Sequence, residues 1–436
     1  MIPYLTIPSE DRHPKKTKMN KTVVIGGGPA GMLAAVSVSG ENTKVILLEK
    51  NDRLGKKLFI TGKGRCNITN SADKDVIMKN IMTNPKFMFS ALDAFDNNDI
   101  CMLLEKHGCR VKEERGGRIF PVSDHSSDVI KALIKTLDEK NVEVMLNSEA
   151  VKTEKNDDGF KVILKTGKEL QCDSVIVTTG GVSYPATGSV GDGYRFAEGF
   201  GHSIKEPVPS LVPLETKQLW CRDLQGLSLK NTGLKMYSGG KQIYEDFGEM
   251  LFTHFGISGP MILSASSYYQ KRRSEDCKVI LDLKPALSTG ELDDRLLREI
   301  SENHEKHLIN MLPSLLPAKM VPVIASLSGM DPHIKCGDIR KEQRAGLVNL
   351  LKNLEIDITG TRGFEEAIIT KGGVSVKEVS PKTMMSKIVP GLFFAGEILD
   401  LDALTGGFNL QIAWSTGYLA GIGCSEYLEG LKGETL

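Results

Sequence analysis

The 436-residue sequence has no net charge, because 55 lysines and arginines balance 55 aspartates and glutamates. A neutral chain gives no electrostatic reason to expect nucleic acid or an acidic membrane as a partner. No apolar run approaches the ~20 residues that span a bilayer, and the opening residues are too polar for a secretory signal. We therefore expect a cytoplasmic protein that acts on a small molecule, with a flexible N-terminal extension over residues 1–19.

The eight cysteines are scattered, and no two of them form a CxxC motif. This spacing argues against a zinc site, a thioredoxin-like redox pair and a secreted disulfide scaffold. Cys66 has no cysteine near it in sequence that could act as a resolving partner, so we interpret it as a packed residue rather than a redox thiol. The sequence predicts no metal site.

Glycine, in contrast, is in excess, with 44 residues or about 10% of the chain against about 7% in an average protein. Sixteen of the glycines fall into five clusters, and the remaining 28 are an ordinary number for this length. The first cluster contains Gly26, Gly28 and Gly31 in the GxGxxG pattern. In that pattern the first glycine permits a tight turn, the second lets the backbone approach a pyrophosphate, and the third lets helix and strand pack closely.

The residues around this cluster predict one βαβ unit. Thr22–Ile25 is typical of a strand, Pro29–Val38 of a helix with proline in its first turn, and Val45–Leu48 of a second strand. Glu49 ends that strand, where an acid can accept hydrogen bonds from a ribose diol. Because strand, glycine turn, helix and acid occur in register, the sequence predicts a dinucleotide site.

A second glycine-rich segment near the C-terminus decides which dinucleotide is expected. Residues 391–417 predict a strand, Gly396-Glu397, a glycine turn and an apolar helix from about Asn409 to Ala420. In flavoproteins of the glutathione-reductase type, such a return reaches the ribityl chain, and the helix N-terminus stabilises negative charge on the reduced flavin. The expected cofactor is therefore FAD. No second GxGxxG unit is present, so any NAD(P)H would act as a transient electron donor.

Eight motifs occur in an order that closely resembles a bacterial family of FAD-dependent oxidoreductases, labelled aminoacetone oxidase-like or 3-dehydro-bile-acid reductase-like flavoproteins. They are GGGPAG, GKKLFITGKGRCNITN, GGRIFP, TTGGVSYPATGSVGDGY, PSLVPL, GEMLFTHFGISGP, TKGGV and GLFFAGEILDLDALTGGFNLQIAWSTG. The resemblance covers residues 20–430. It implies an α/β fold in which a glutathione-reductase-like, Rossmann-type FAD domain is split by a β-barrel that carries a helical insert. The expected boundaries are 20–202 and 371–436 for the FAD domain, 203–287 and 346–370 for the barrel, and 288–345 for the insert.

The resemblance also implies, position by position, which residues contact FAD. Those expected at the pyrophosphate are Gly26, Gly28, Pro29, Ala30, Gly31 and Gly180. Those expected at the adenosine are Glu49, Lys50 and the backbone of Val151. Those expected toward the ribityl chain and flavin are Lys57, Asn67, Gly396, Glu397, Asn409, Gln411 and Ile412. Related flavoproteins usually carry Asp where this chain has Glu397, so Asp400 or Asp402 could share that contact.

Three residues are candidates for proton transfer, and each has a structural alternative. His254, in FTHFGISGP, could donate a proton to a substrate or could be a packed histidine. Lys371 could stabilise a reduced flavin anion or could be a solvated lysine of a loop. Tyr184 could act as an acid or could simply belong to the glycine-rich loop.

Three functions remain open from the sequence. The first is an NAD(P)H-dependent reductase that passes hydride from FAD to an unsaturated, steroid-like or bile-acid-like enone. The second is an FAD amine oxidase, acting on an aminoacetone-like amine with oxygen as acceptor. The third is a non-catalytic FAD-binding or RNA-modification-associated module.

Overall fold

The computed structural model describes residues 19–38, 43–271 and 276–433, so the expected extension lies outside the described residues except for Met19. The strands are β1 (Asn20–Ile25), β2 (Thr43–Leu48), β3 (Thr69–Asn70), β4 (Val111–Glu114), β5 (Arg118–Pro121), β6 (Glu143–Met145), β7 (Ala150–Asn156), β8 (Gly159–Leu164), β9 (Glu169–Cys172), β10 (Ser174–Val177), β11 (Ile204–Ser210), β12 (Leu214–Thr216), β13 (Ser228–Ser238), β14 (Lys241–Phe252), β15 (Gly256–Ser258), β16 (Cys277–Asp282), β17 (Leu354–Thr361), β18 (Ile369–Val374) and β19 (Leu392–Phe394).

The helices are α1 (Pro29–Val38), α2 (Lys56–Ile60), α3 (Lys74–Asn80), α4 (Phe89–Ala94), α5 (Asn97–Lys106), α6 (Ser126–Glu139), α7 (Asp192–Gly199), α8 (Trp220–Asp223), α9 (Pro260–Lys271), α10 (Thr289–Glu302), α11 (Leu308–Met311), α12 (Val321–Leu327), α13 (Lys341–Lys352) and α14 (Phe408–Gly433). α1 has the bounds expected from the sequence, whereas α14 continues well past the expected end at Ala420.

A parallel five-stranded sheet forms the centre of the first unit, in the order β19-β10-β1-β2-β6. All four residues of β10 are buried, as expected for a strand that is covered on both faces. α1 packs against this sheet and against α14 and α6, so the first and last helices share one core. The expected α/β, Rossmann-type fold is confirmed.

The second unit is a closed antiparallel barrel in the order β12-β15-β14-β13-β16-β17. Between β16 and β17 the chain forms α10 to α13, which share the core of the barrel. The capping box that Ser288 and Glu291 predict at the start of α10 is present. α13 runs to Lys352, beyond the expected insert boundary at 345, because its buried leucines pack into the barrel core.

Two strands, β11 and β18, pair with each other outside the barrel and carry the chain between the two units. The expected barrel limits, 203 and 370, therefore include segments that belong to this two-stranded link. Its position brings the barrel next to the carboxyl ends of β1 and β10. Within the described residues, no helix has the length and apolar character needed to cross a membrane.

Candidate functional site

A cavity lies at the carboxyl ends of β1, β2, β10 and β19, where ligands usually bind in open parallel sheets. Its walls come from six parts of the chain. These are the turn between β1 and α1, the segment after β2, residues 148–150 at the start of β7, the loop after β10 with the start of α7, the link to the barrel, and the segment from β19 into α14.

Each glycine of the first motif meets a different geometric need. Gly26 has a φ of +113°, and a Cβ there would lie 2.5 Å from the carbonyl oxygen of Thr178. A Cβ at Gly31 would overlap the carbonyl oxygen of Gly26 and lie 2.6 Å from Thr178 Oγ1. At Gly28, a Cβ would meet no protein atom within 4 Å and would project into open space in the cavity wall. Gly26 and Gly31 therefore serve turning and packing, and Gly28 leaves room for a ligand.

Glu49 is buried at the end of β2, and its carboxylate is held by backbone and side-chain donors. One oxygen accepts the N–H of Gly27 at 2.9 Å, and the other accepts the backbone N–H of Asn51 at 2.8 Å and its Nδ2 at 2.7 Å. The neighbouring Lys50 bonds Asp192 at 2.6 Å. Burial alone would raise the pKa of Asp192, but the hydrogen bonds from Lys50 and Arg195 outweigh it and lower that pKa.

Glu397 ties three separate segments together at the middle of the cavity. Its Oε2 accepts Lys57 Nζ at 2.7 Å, and its Oε1 accepts Ser183 Oγ at 2.9 Å and the N–H of Thr370 at 2.8 Å. Lys57 also donates to Ser183 Oγ at 2.6 Å. The longer glutamate thus reaches the link between the domains while still lining the cavity.

The N-terminal turns of α14 also line the cavity. Gly406 and Gly407, with φ values of +128° and +100°, turn the chain into the helix. The Asn409 side chain lines the cavity but is engaged with the preceding turn, since it donates to Ala403 O at 2.7 Å. The first N–H groups of a helix have no partner within it, so this end carries positive dipole.

Thirteen of the sixteen residues expected at the cofactor line this cavity. They are Gly26, Gly28, Pro29, Ala30, Glu49, Lys50, Lys57, Asn67, Gly180, Gly396, Glu397, Asn409 and Ile412.

The other three residues do not line the cavity. Gly31 packs against the strand, as described above. Gln411 is buried away from the cavity, where it accepts Thr69 Oγ1 at 2.6 Å and donates to Ser415 Oγ at 2.9 Å. Val151 is 39% exposed, and its neighbour Ala150 lines the cavity.

The three candidates for proton transfer lie outside the cavity wall. His254 is exposed, with its ring edge-on to Phe255. Tyr184 is partly buried, which together with the charge of Glu366 raises its pKa. Lys371 lies on β18. Burial raises the pKa of Asp400, and the positive charge of Lys371 opposes part of that rise.

Cys66 is completely buried, and burial raises the pKa of its thiol to about 12. This placement agrees with the interpretation of Cys66 as a packed residue. The described residues contain no cluster of three or more His, Cys, Asp or Glu side chains that could hold a metal ion.

Sequence reasoning missed the residues that form the wall nearest the barrel. Leu211, Ile368, Leu404 and Thr405 line the cavity there, and three of the four are apolar. Thr405 lies within the recognised LTGGFN sequence and could have been considered. Leu211 lies within the recognised PSLVPL sequence and could also have been considered, whereas Ile368 lies outside the eight motifs and belongs to an ordinary apolar pattern.

A family model described as the HI0933-like protein Rossmann domain matches residues 20–423. The chain belongs to this family. A 3-dehydro-bile acid delta(4,6)-reductase of Clostridium scindens is 31% identical to the HI0933-like chain, over 94% of it and 100% of the relative. A ribosomal RNA dihydrouridine synthase of Haemophilus influenzae is also 31% identical, over 94% of the chain and 99% of the relative.

Among solved structures, a 3-ketosteroid delta1-dehydrogenase from Sterolibacterium denitrificans aligns with 93% of the HI0933-like chain and 100% of its own. Its TM-score of 0.49 and sequence identity of 14% are too low to bear on function.

The HI0933-like chain is an FAD-dependent oxidoreductase, and the residues present fit this cofactor. Gly28 leaves open space beside the N-terminus of α1, where backbone N–H groups can bind a pyrophosphate. Glu49 would hold the adenosine side, and the N-terminus of α14 would favour negative charge on a reduced flavin.

Proposed function

We propose that this enzyme reduces a carbon–carbon double bond conjugated with a carbonyl group in an apolar small molecule, with NAD(P)H as electron donor. When bound, FAD would accept hydride from the donor and pass it on to the substrate. The observation that carries the substrate class is the apolar wall at the barrel side of the cavity, which includes Leu211, Ile368 and Leu404.

The two relatives support this chemistry. The name of one describes the reduction of a double bond in a 3-dehydro bile acid, and the name of the other describes the formation of dihydrouridine. Both products arise when two hydrogens add to a double bond conjugated with a carbonyl group. The shared reaction type, rather than either substrate, is what we transfer to this chain.

The chain's own residues would contribute binding and orientation. Lys57, Ser183 and Glu397 form one hydrogen-bonded group that fixes the middle of the cavity. Leu211 and Leu404 would exclude water from the reacting face and hold an apolar substrate against the cofactor.

The proposal is tested by following the FAD absorbance of the loaded protein without oxygen. We expect NADH or NADPH to bleach the band, and a 3-oxo-Δ4,6 bile acid to restore it. If neither NADH nor NADPH bleaches the band within minutes, NAD(P)H is not the electron donor. If chemically reduced protein is then not reoxidised by any conjugated enone, the reductase proposal fails.

A matched pair of variants tests the apolar wall. Leu404→Ala shortens a cavity residue, and we expect it to raise KM for the bile acid by about tenfold, equal to about 1.4 kcal/mol of lost apolar contact. Leu219→Ala shortens a leucine that is 68% exposed on the barrel. We expect it to leave KM unchanged.

Reduction of uridine in ribosomal RNA is a second candidate, because the Haemophilus influenzae relative is equally similar in sequence. The zero net charge speaks against it, since RNA-binding proteins depend on basic surfaces. Dihydrouridine detected by mass spectrometry in a ribosomal RNA fragment after incubation with the reduced protein would favour this candidate over the first.

A further inference from the structure

The apolar wall of the cavity contains one hydroxyl group. Leu211, Ile368, Leu404 and Thr405 form that wall, and Thr405 is the one residue of the four with a polar side chain. Sites for small molecules are mostly apolar, with a few placed polar groups that fix the orientation of the ligand. Thr405 is therefore the group of this wall that can orient a bound molecule by a hydrogen bond.

The backbone on both sides of Thr405 is held by asparagine side chains. Asn409 Nδ2 donates to the carbonyl oxygen of Leu404 at 3.2 Å. Asn70 is buried, and its Nδ2 donates to the carbonyl oxygen of Gly406 at 3.0 Å. These bonds fix the course of the chain at Thr405 before any ligand binds.

The hydroxyl of Thr405 is held in turn by the barrel. Its Oγ1 lies 2.8 Å from Ser264 Oγ, and Ser264 is a buried residue of α9. Each hydroxyl has one proton, and their mutual bond uses only one of the two. When Ser264 is the donor, Thr405 keeps its own proton for an acceptor in the cavity. The pair thus presents an oriented hydrogen-bond donor that is built by both domains.

Two other polar side chains of the cavity show how Thr405 differs. Thr61 Oγ1 donates its only proton to the carbonyl oxygen of Leu58 at 2.7 Å. Asn409 Nδ2 donates to the carbonyl oxygen of Ala403 at 2.7 Å. A backbone carbonyl cannot donate in return, so these protons stay with the protein. The partner of Thr405 is a hydroxyl, which can supply the proton of the mutual bond and leave the Thr405 proton to a ligand.

We propose that the Thr405 hydroxyl donates a hydrogen bond to the carbonyl oxygen of the substrate, and that Ser264 acts through Thr405 as a positioning residue. The inference rests on the proposed reductase function. With two electrons supplied by NAD(P)H through FAD, hydride adds to the carbon β to the carbonyl and forms a C–H bond there. The electron pair of the double bond moves toward the carbonyl oxygen, where the Thr405 proton stabilises the negative charge. The α-carbon takes a proton from solvent, and Thr405 keeps its own.

Ligand binding to the oxidised, FAD-loaded protein tests this contact without turnover, because an oxidised flavin cannot reduce an enone. The probes are a 3-oxo-Δ4,6 bile acid and its 3-deoxy analogue, which lacks the carbonyl oxygen. We expect Thr405→Val to raise the Kd of the 3-oxo ligand about 2- to 10-fold, the usual contribution of one hydrogen bond, and to leave the Kd of the 3-deoxy ligand unchanged. Equal weakening of both ligands, or of neither, would overturn the contact.

Infrared difference spectra of the same complex report on the carbonyl group itself. Ligands with carbon-12 and carbon-13 at C3 isolate the C=O stretching band, whose frequency falls when the oxygen accepts a hydrogen bond. We expect Thr405→Val to raise the frequency, Thr405→Ser to keep it near the wild-type value, and Ser264→Ala to raise it part of the way. A band that Thr405→Val does not move contradicts the proposal, and a band that Ser264→Ala does not move contradicts the positioning role of Ser264.

Single turnovers, in which the same bile acid reoxidises the reduced protein, measure the effect on the reaction. We expect Thr405→Val to slow reoxidation about 100-fold, as for loss of one oxyanion donor, while reduction of the flavin by NAD(P)H is unchanged. Thr405→Ser should restore most of the rate. Thr289→Val makes the same change at an exposed position of α10, and this matched control should leave both the rate and the infrared band unchanged.

The two proposals fail separately. If the carbonyl band responds to Thr405→Val but no enone reoxidises wild-type protein, the reductase function is wrong and the contact remains as a ketone-binding site. If wild-type protein turns over, and Thr405→Val turns over equally fast with an unmoved band, the reductase function remains and the role of Thr405 is wrong. If the 3-oxo ligand does not bind to wild-type protein, both are wrong for this class of ligand.

Discussion

Gly28 and Gly31 belong to the same motif, but substitution by alanine should affect different properties of the protein at the two positions. Gly31→Ala places a methyl group over the carbonyl oxygen of Gly26 and 2.6 Å from Thr178 Oγ1. Gly28→Ala places the same group in open space within the cavity wall. The first change should therefore damage the fold, and the second should damage only cofactor binding.

Gly31→Ala should lower the free energy of unfolding, whereas Gly28→Ala should lower the affinity for FAD. For Gly31→Ala, overpacking at the upper end of the usual range costs about 3 kcal/mol, which lowers the Tm of a chain of this length by about 3 °C with or without FAD. For Gly28→Ala, a similar clash with bound pyrophosphate raises the FAD Kd about 100-fold. At an FAD concentration of 100 times the wild-type Kd, ligand stabilisation then falls from about 2.7 to about 0.4 kcal/mol.

Thermal unfolding of apoprotein and FAD-loaded protein measures both effects in one assay. Without FAD, Gly28→Ala should have the same Tm as wild-type apoprotein. The rise in Tm on addition of FAD should be smaller for the variant than for wild type. If Gly28→Ala binds FAD as tightly as wild type, the pyrophosphate does not pass this turn and the placement of the cofactor is wrong. If Gly31→Ala melts like wild type, the packing argument is wrong.

Two further predictions concern single side chains. Because hydrogen bonds from Lys50 and Arg195 lower the pKa of Asp192 below its ordinary 3.8, the ionised carboxylate stabilises the fold above about pH 4, and this contribution is lost as pH falls through the folded pKa. Asp192→Asn should therefore lower the urea midpoint at neutral pH and flatten its decline below about pH 4; an acid limb identical to wild type would contradict this. Burial raises the pKa of the Cys66 thiol to about 12, so iodoacetamide at neutral pH should label Cys66 only after denaturation, as peptide mass spectrometry can show. Labelling of the native protein would mean that Cys66 is accessible.

The part of the site that was predictable from sequence is the part that is local in sequence. β1, the glycine turn, α1 and Glu49 follow one another within 30 residues, and their geometry depends on backbone conformation and short-range packing. The same holds for Gly406, Gly407 and the start of α14. A pattern of glycines and apolar residues contains enough information to place such elements.

Side-chain positions set by distant contacts were not predictable. Gln411 occurs in the expected helix, but its amide is turned away from the cavity by Thr69, 342 residues earlier in the chain. Lys371 and Tyr184 occur in recognised motifs, yet neither side chain lines the cavity. A motif places a segment of backbone, and long-range packing decides which of its side chains faces the ligand.

This division explains how one family can keep its cofactor while its members differ in substrate. The predicted FAD contacts are largely glycines, helix ends and backbone groups, which tolerate side-chain changes elsewhere. The wall that would contact substrate is assembled from Leu211, Ile368, Leu404 and Thr405, which come from separate segments and meet only after folding. Relatives named for a bile acid and for ribosomal RNA are each 31% identical to this chain. Both alignments cover 94% of this chain, barrel included, so overall identity does not separate the two substrates.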